Sequence, residues 1–210
     1  MKYKYSILFF LLFYYSCNYK NNKETTQHDA TYYYNVGVRC DYNDDYRGAL
    51  DNYNKAISMD STFSNCYLNR GSIKLLNFND TIGALNDYKK AIQLDGRNAI
   101  AYNNLGYILS EQGNDKDAAD LYRICIAVDP DYYPVYYNCA YSQFQIKDYE
   151  EALKNFEKAV IYDEEQKLYA YYYMGLIYKE TGEIEKAKEY LEKAKALGKR
   201  DAEEELLKLK

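Results

Sequence analysis

ALNDYKKAIQLD, residues 84–95, decides the fold. Ala84, Tyr88 and Ala91 stand four and then three residues apart, so they share one face of an α-helix. The design recurs as ALDNYNKAISMD from Ala49, AADLYRICIAVD from Ala118, ALKNFEKAVIYD from Ala152 and AKEYLEKAKALG from Ala187. The leading alanines are separated by 35, 34, 34 and 35 residues. Each copy has Ala, then an aromatic residue or Leu, then Ala, with Cys125 in the last slot of the third copy. A fixed period of this length marks a stack of identical supersecondary units, each burying its apolar face against the next.

The segments before these helices repeat in phase. Tyr33-x-x-Val36-Gly37, Tyr67-x-x-Arg70-Gly71, Tyr102-x-x-Leu105-Gly106, Tyr136-x-x-Cys139-Ala140 and Tyr171-x-x-Met174-Gly175 place a bulky residue, a second residue and a small one at constant offsets. Together the two halves resemble the tetratricopeptide (TPR) pattern of Trp-x-x-Leu-Gly, Ala-x-x-x-Phe and a closing Pro, with Tyr in the Trp slot throughout. The departures are Arg70 in an apolar slot, Ala140 in a glycine slot, and a closing proline kept only as Pro130. The resemblance implies an all-α, right-handed superhelical solenoid of about five helix–turn–helix units over 30–210. The units span about 30–63, 64–98, 99–132, 133–167 and 168–201, followed by an end helix over 201–210.

Gly37, Gly71, Gly106 and Gly175 fall where the two helices of a unit meet, so a side chain there would hold the backbones apart. Turns within units are expected at Asn43–Asp45, Asn77–Asp80, Gly113–Asn114, Lys147–Asp148 and Gly182–Glu183. In the end helix Asp201 is expected to cap, Glu203, Glu204 and Glu205 follow in the first turn, and Lys208 and Lys210 close it, which suits the helix dipole. Ala202, Leu206 and Leu209 form its apolar stripe.

Tyrosine is the compositional outlier at 29 of 210 residues, and Trp is absent. Its ring packs while its hydroxyl reaches water; a genome-wide excess of Tyr, Asn, Lys and Ile explains the count equally well. The formal charge of −5 becomes −7 without residues 1–16, whose only charges are Lys2 and Lys4. That sign argues against nucleic acid as a partner.

MKYKYSILFFLLFYYSC, residues 1–17, has a basic start, the apolar run Ile7–Phe13 and the small Ser16 before Cys17, as a secretion signal does. From Ile7 to Tyr15 a helix measures about 14 Å, too short for roughly 30 Å of hydrocarbon. The segment resembles a bacterial lipoprotein signal, which implies lipidation at Cys17 and a membrane-anchored chain in the cell envelope, periplasmic or surface-exposed. Tyr14 departs from the aliphatic residue usual there, and ordinary cleavage with secretion, or an uncleaved tail, stays open. After the signal, 1–16, residues 17–29 read as a flexible tether.

No catalytic motif and no metal-ligand spacing occurs, and no cofactor is expected. The single histidine, His28, falls in the tether. Cys125 and Cys139 occupy core slots; a disulfide between them is the alternative in an oxidising compartment. The family lines its concave face with the first helices, which implies partner contacts at Tyr34, Val38, Leu68 and Ser72, then Asn103, Asn104 and Tyr107, then Tyr137, Asn138 and Tyr141, then Tyr172 and Leu176. The basic set that grips a C-terminal carboxylate in chaperone-binding relatives is missing. The expected function is therefore a non-catalytic scaffold or adaptor, holding a protein or peptide segment through Tyr and Asn along Asn103–Tyr141. The other reading is an envelope protein that binds a small ligand or glycan.

Overall fold

The computed structural model describes residues 28–162, 164 and 166–209. The expected signal, Cys17 and most of the tether lie outside the described residues. Within them eleven helices follow one another: α1 (Ala30–Tyr42), α2 (Tyr46–Met59), α3 (Ser64–Phe78), α4 (Thr81–Leu94), α5 (Ala99–Glu111), α6 (Asp115–Val128), α7 (Pro134–Gln145), α8 (Tyr149–Tyr162), α9 (Lys167–Glu180), α10 (Ile184–Ala196) and α11 (Arg200–Lys208). They pair as α1/α2, α3/α4, α5/α6, α7/α8 and α9/α10, and each pair packs on the next. First helices also touch first helices, α3 with α5, α5 with α7 and α7 with α9, while second helices make no comparable contact. The first helices therefore converge on the inner side of the stack. None of the described helices is long and apolar enough to cross a membrane.

The packing behind the repeat is a ring edge laid on a bare backbone. A Cβ on Gly37 would lie 2.6 Å from Tyr53 Cε1, on Gly71 2.9 Å from Tyr88 Cε1, and on Gly106 2.7 Å from Tyr122 Cε1. These three rings are buried almost completely and have no room to retreat. The repeated alanines Ala49, Ala84, Ala118, Ala152 and Ala187 are fully enclosed beside them. Tyrosine hydroxyls also bond inside the protein: Asn69 Nδ2 donates to Tyr53 OH at 3.3 Å, and Tyr88 OH donates to Ser72 Oγ at 3.3 Å.

Each unit turns on one left-handed residue, at Asp44 (φ 60°), Asn79 (54°), Gly113 (78°), Lys147 (63°) and Gly182 (81°). A backbone N–H just past it closes the helix on a carbonyl one turn back, as Asp45 on Cys40 at 2.9 Å and Asp148 on Gln143 at 2.8 Å. In the second unit α3 runs on through Phe78, so the turn begins two residues later than the sequence suggests. The next residue starts the second helix; Asp45 and Asp80 accept from the backbone of Gly48 and Gly83.

One slot between paired helices changes chemistry from unit to unit. In the second unit Arg70 and Lys74 of α3 meet Asp87 of α4, which is 4% exposed. Arg70 donates twice, Nε to Oδ2 at 2.9 Å and Nη2 to Oδ1 at 2.5 Å, and Lys74 Nζ donates at 2.8 Å. Arg70 thus stands in an apolar slot because a buried carboxylate stands opposite. In the fourth unit Asn155 donates to Gln143 Oε1 at 2.8 Å and to Cys139 Sγ at 3.6 Å. In the fifth, Tyr178 and Tyr190 stack at 5.3 Å. In the third the corresponding residues are Leu105, Leu109 and Leu121.

Cys66, Cys125 and Cys139 are free thiols in the core. Burial pushes each of them up to about 12. The end helix α11 starts earlier than expected: Lys199 precedes it, and Asp201 lies in its first turn, ion-paired to Lys199. Glu205 of α11 accepts from Lys179 of α9 at 2.5 Å and from Lys208 at 2.6 Å. Those two bonds hold its carboxyl below the usual range, Lys179 first.

Candidate binding cleft

Three first helices, α5, α7 and α9, form a cleft of about 280 Å³ on the inner side of the stack. Tyr107, Ser110 and Glu111 come from α5, one turn apart on one face. Tyr137, Asn138 and Tyr141 come from α7, and Tyr169 and Tyr173 from α9. Tyr122 of α6 reaches the wall from behind, held by its contact with Gly106. The rings are inclined to one another: Tyr137 and Tyr169 at 62° and 6.5 Å, Tyr141 and Tyr173 at 73° and 5.3 Å, Tyr137 and Tyr141 nearly parallel at 6.5 Å. Phe156 of α8 supports the floor, stacked on Tyr173 at 5.8 Å and edge-on to Tyr137 at 5.9 Å.

Burial pushes the Tyr173 phenol up to about 12, with Tyr141 adding to it. Tyr137 is pushed up as well, by burial and then by the phenols of Tyr173, Tyr141 and Tyr169. Both remain neutral hydroxyls across the physiological range. Asp115 lies behind the cleft, where its Oδ1 accepts from Ser110 at 2.8 Å and from Ser142 at 3.1 Å. Among the described residues there is no cluster of His, Cys, Asp or Glu that could hold a metal ion.

Of the twelve residues expected on the concave face, only some reach the cleft. Tyr107, Tyr137, Asn138 and Tyr141 meet in the cleft. Asn103 is only 7% exposed and lies between α5 and α7, where its Oδ1 accepts from Asn138 at 3.1 Å and its Nδ2 donates to Asn104 at 3.2 Å. The Asn138, Asn103 and Asn104 amides thus form a short chain of donors between α7 and α5, each partner polarising the next. One unit earlier, Tyr88 OH donates to Ser72 Oγ at 3.3 Å, and Ser72 Oγ donates to the Leu68 carbonyl at 3.1 Å. Tyr172 stands apart from the cleft: it packs with Leu191, Ala194 and Ala202, under Lys199, whose Nζ is 5.0 Å from its ring. Tyr169, Tyr173 and Glu111 complete the cleft and were not singled out in the sequence. Tyr173 had a visible signal, because it breaks a column otherwise filled by Asn35, Asn69, Asn104 and Asn138.

A second hollow of about 530 Å³ adjoins the cleft and shares Tyr107 and Glu111 with it. Leu75, Leu76 and Ile108 line it, and Leu76 is 76% exposed. A wider hollow at the N-terminal end is bounded by His28, Asp29, Met59 and Asp60. His28 is stacked flat on Tyr32 at 3.5 Å.

An all-helical stack of paired helices with this ring-on-glycine contact is a TPR-type solenoid, and the comparisons with known proteins agree. Two family models, described as "TPR repeat" and "Tetratricopeptide repeat", match residues 79–113 and 99–128. A third, "Regulator of microtubule dynamics protein 1-3", matches residues 137–210, well under half of the chain. Comparison with curated proteins gives no match. Among solved structures the chain is similar to YrrB, titled a TPR protein with an unusual peptide-binding site, at 22% identity and TM-score 0.73 over 84% of this chain and 90% of that one. It is similar to MamA at 24% identity and TM-score 0.67, over 82% and 97%. PilF of Pseudomonas aeruginosa follows at 18–19% identity with PilW, titled a widely conserved type IV pilus biogenesis factor; the TM-score is 0.63 for both, over 86% of this chain and 88% of PilF, and 84% and 90% for PilW.

Proposed function

We propose that the chain is a non-catalytic scaffold of the cell envelope that holds an extended segment of a partner protein in the cleft between α5, α7 and α9. The observation that carries this reading is the run of tyrosines contributed by three successive repeats to one inner-facing cleft. Such a surface offers large apolar area with polar tips at low conformational cost. The peptide-binding site named for YrrB supports the class of ligand. The other reading, a small ligand or glycan, rests on the same tyrosine-lined space, which with the adjoining hollow falls within the ~300–1,000 Å³ typical of ligand pockets.

Replacing Tyr107 and Tyr141 together by alanine is expected to reduce cross-linked partner recovery from native envelopes at least about tenfold, by loss of two aromatic contacts. Helix content and melting temperature should stay close to wild type, because Tyr107 is 44% exposed and Tyr141 half-buried. Recovery equal to wild type would overturn the cleft as the binding surface.

In the same reading residues 1–16 direct export, Cys17 carries a lipid, and residues 18–29 tether the solenoid to the membrane. The part that PilW plays in type IV pilus biogenesis is in keeping with an envelope location. Cys17→Ala should move the chain from the membrane fraction to the soluble one; a variant that sediments with membranes as before would remove the lipid anchor.

A further inference from the structure

The cleft has a chemical bias that goes beyond holding a segment. Six tyrosine rings, from Tyr107, Tyr122, Tyr137, Tyr141, Tyr169 and Tyr173, line it, and the only charged residue among its lining and that of the adjoining hollow is Glu111. No lysine, arginine or histidine lines either one. The nearest cation recorded against these rings is Lys199, 5.3 Å from Tyr169 and already ion-paired to Asp201. An aromatic face carries negative potential and attracts a cation within about 6 Å, more strongly when water is excluded. The chain uses that attraction itself: Lys193 Nζ stands 4.4 Å from the Tyr190 ring and Lys158 Nζ 4.6 Å from the Tyr136 ring. In the cleft the rings are set at steep angles, so several faces and edges converge on one space instead of stacking it shut. Glu111 stands at the boundary with the leucine-lined hollow, where a carboxylate can meet the charge that the rings only polarise toward.

We propose that this cleft is an organic-cation pocket that takes the lysine or arginine side chain of the partner segment, with the neighbouring apolar side chain of that segment seated against Leu75, Leu76 and Ile108. The inference rests on the reading of the cleft as a segment-binding site and specifies what that segment must carry. Charge complementarity selects the occupant: a net-negative chain, a cleft with one acid and no base, and ring faces that reject an acidic side chain.

The test uses the chain without residues 1–17 and four labelled synthetic peptides of the same neutral, extended background. They carry Leu followed by Lys, Arg, norleucine or Glu, and binding is read by fluorescence anisotropy. Lys and Arg peptides should bind about tenfold more tightly than the norleucine peptide, and the Glu peptide should not bind. Tyr141→Leu should weaken the Lys peptide about tenfold, whereas Tyr141→Phe, which keeps the ring, should stay within about threefold of wild type. Glu111→Gln should weaken it by about threefold or more. Tetramethylammonium chloride should displace the Lys peptide. Equal affinity for the Lys and norleucine peptides would overturn the cation pocket and leave the segment-binding function standing. Tetramethylammonium binding, sensitive to Tyr141→Leu but with no affinity for any peptide, would overturn the segment-binding function and assign the pocket to a small quaternary ammonium ligand.

Discussion

Asp87→Ala is expected to lower the unfolding free energy by about 3–5 kcal/mol, the usual cost of removing one partner from a buried ion pair. Asp87 is 4% exposed and faces two cations at once, Arg70 at 17% and Lys74 at 23% side-chain exposure. With the carboxylate gone, both cations stay in the half-buried slot, held there by the rest of α3. Arg70 keeps only Asn54, to which Nη1 donates at 2.6 Å, and the Tyr67 ring, 5.3 Å away. The loss therefore comes from stranded charge more than from the value of the pair itself. The third unit shows the alternative, with Leu105, Leu109 and Leu121 filling the same positions. Converting Arg70, Lys74 and Asp87 together to Leu should recover most of the lost stability, since a well-packed apolar trio of similar volume often equals a buried ionic one. Urea unfolding of the single and triple variants measures both. A single variant within about 1 kcal/mol of wild type, or a triple variant worse than the single, would show that the slot is not governed by stranded charge.

That slot marks the limit of what the sequence made legible. The alternation of units was plain because the contact that builds them needs a missing side chain: Gly37, Gly71 and Gly106 precede Tyr53, Tyr88 and Tyr122 by 16, 17 and 16 residues. A periodic physical need leaves a periodic trace. Arg70 looked like a defect in the pattern because its reason, Asp87, lies on another helix in a column that carries Asn, Leu, Asn and Tyr elsewhere. The left-handed turn residues were half visible. Gly113, Gly182, Asn79 and Asp44 belong to the residue types that visit positive φ, whereas Lys147 does not.

The cleft was legible in composition and only partly in place. The family resemblance implies Tyr107, Tyr137 and Tyr141 on the concave face, and all three line the cleft. Spacing does not tell depth. Asn103 shares its column with Tyr34, Leu68, Tyr137 and Tyr172, yet the approach of α5 to α7 buries it, and its amide is engaged by Asn138 and Asn104. Tyr172 occupies the column position proper to a groove, but α11 covers that end of the stack. In the proposed binding mode the cleft grips through tyrosine and Glu111, while the Asn103 amide is spent between α5 and α7.

Raising the pH above about 10 is expected to unfold the chain cooperatively, with tyrosine ionisation and helix loss occurring together. In the unfolded chain phenols ionise near 10 and thiols near 8.5. In the folded chain Tyr53 and Tyr173 are pushed up to about 12, chiefly by burial, and Tyr122 and Tyr137 are pushed up in the same direction. Cys66, Cys125 and Cys139 are likewise held at about 12. Folded-state values above the unfolded ones mean that the folded chain keeps protons which the unfolded chain releases. These groups leave stability unchanged below about pH 8; from there to about 12 stability falls as pH rises, first through the thiols and then, past 10, more steeply through the phenols. Three withheld protons tilt the balance by roughly 4 kcal/mol per pH unit, against a total stability of about 5–15 kcal/mol for a domain. Circular dichroism and tyrosinate absorbance followed along one pH series should give coincident, sharp transitions above pH 10. Tyr53→Phe and Tyr122→Phe, which remove an ionising hydroxyl while keeping the ring on Gly37 and Gly106, should each move the transition to higher pH. A smooth ionisation of all the tyrosines centred near 10, with the helices intact throughout, would mean that the rings packed on those glycines are open to hydroxide and that the repeat core is looser than its contacts require.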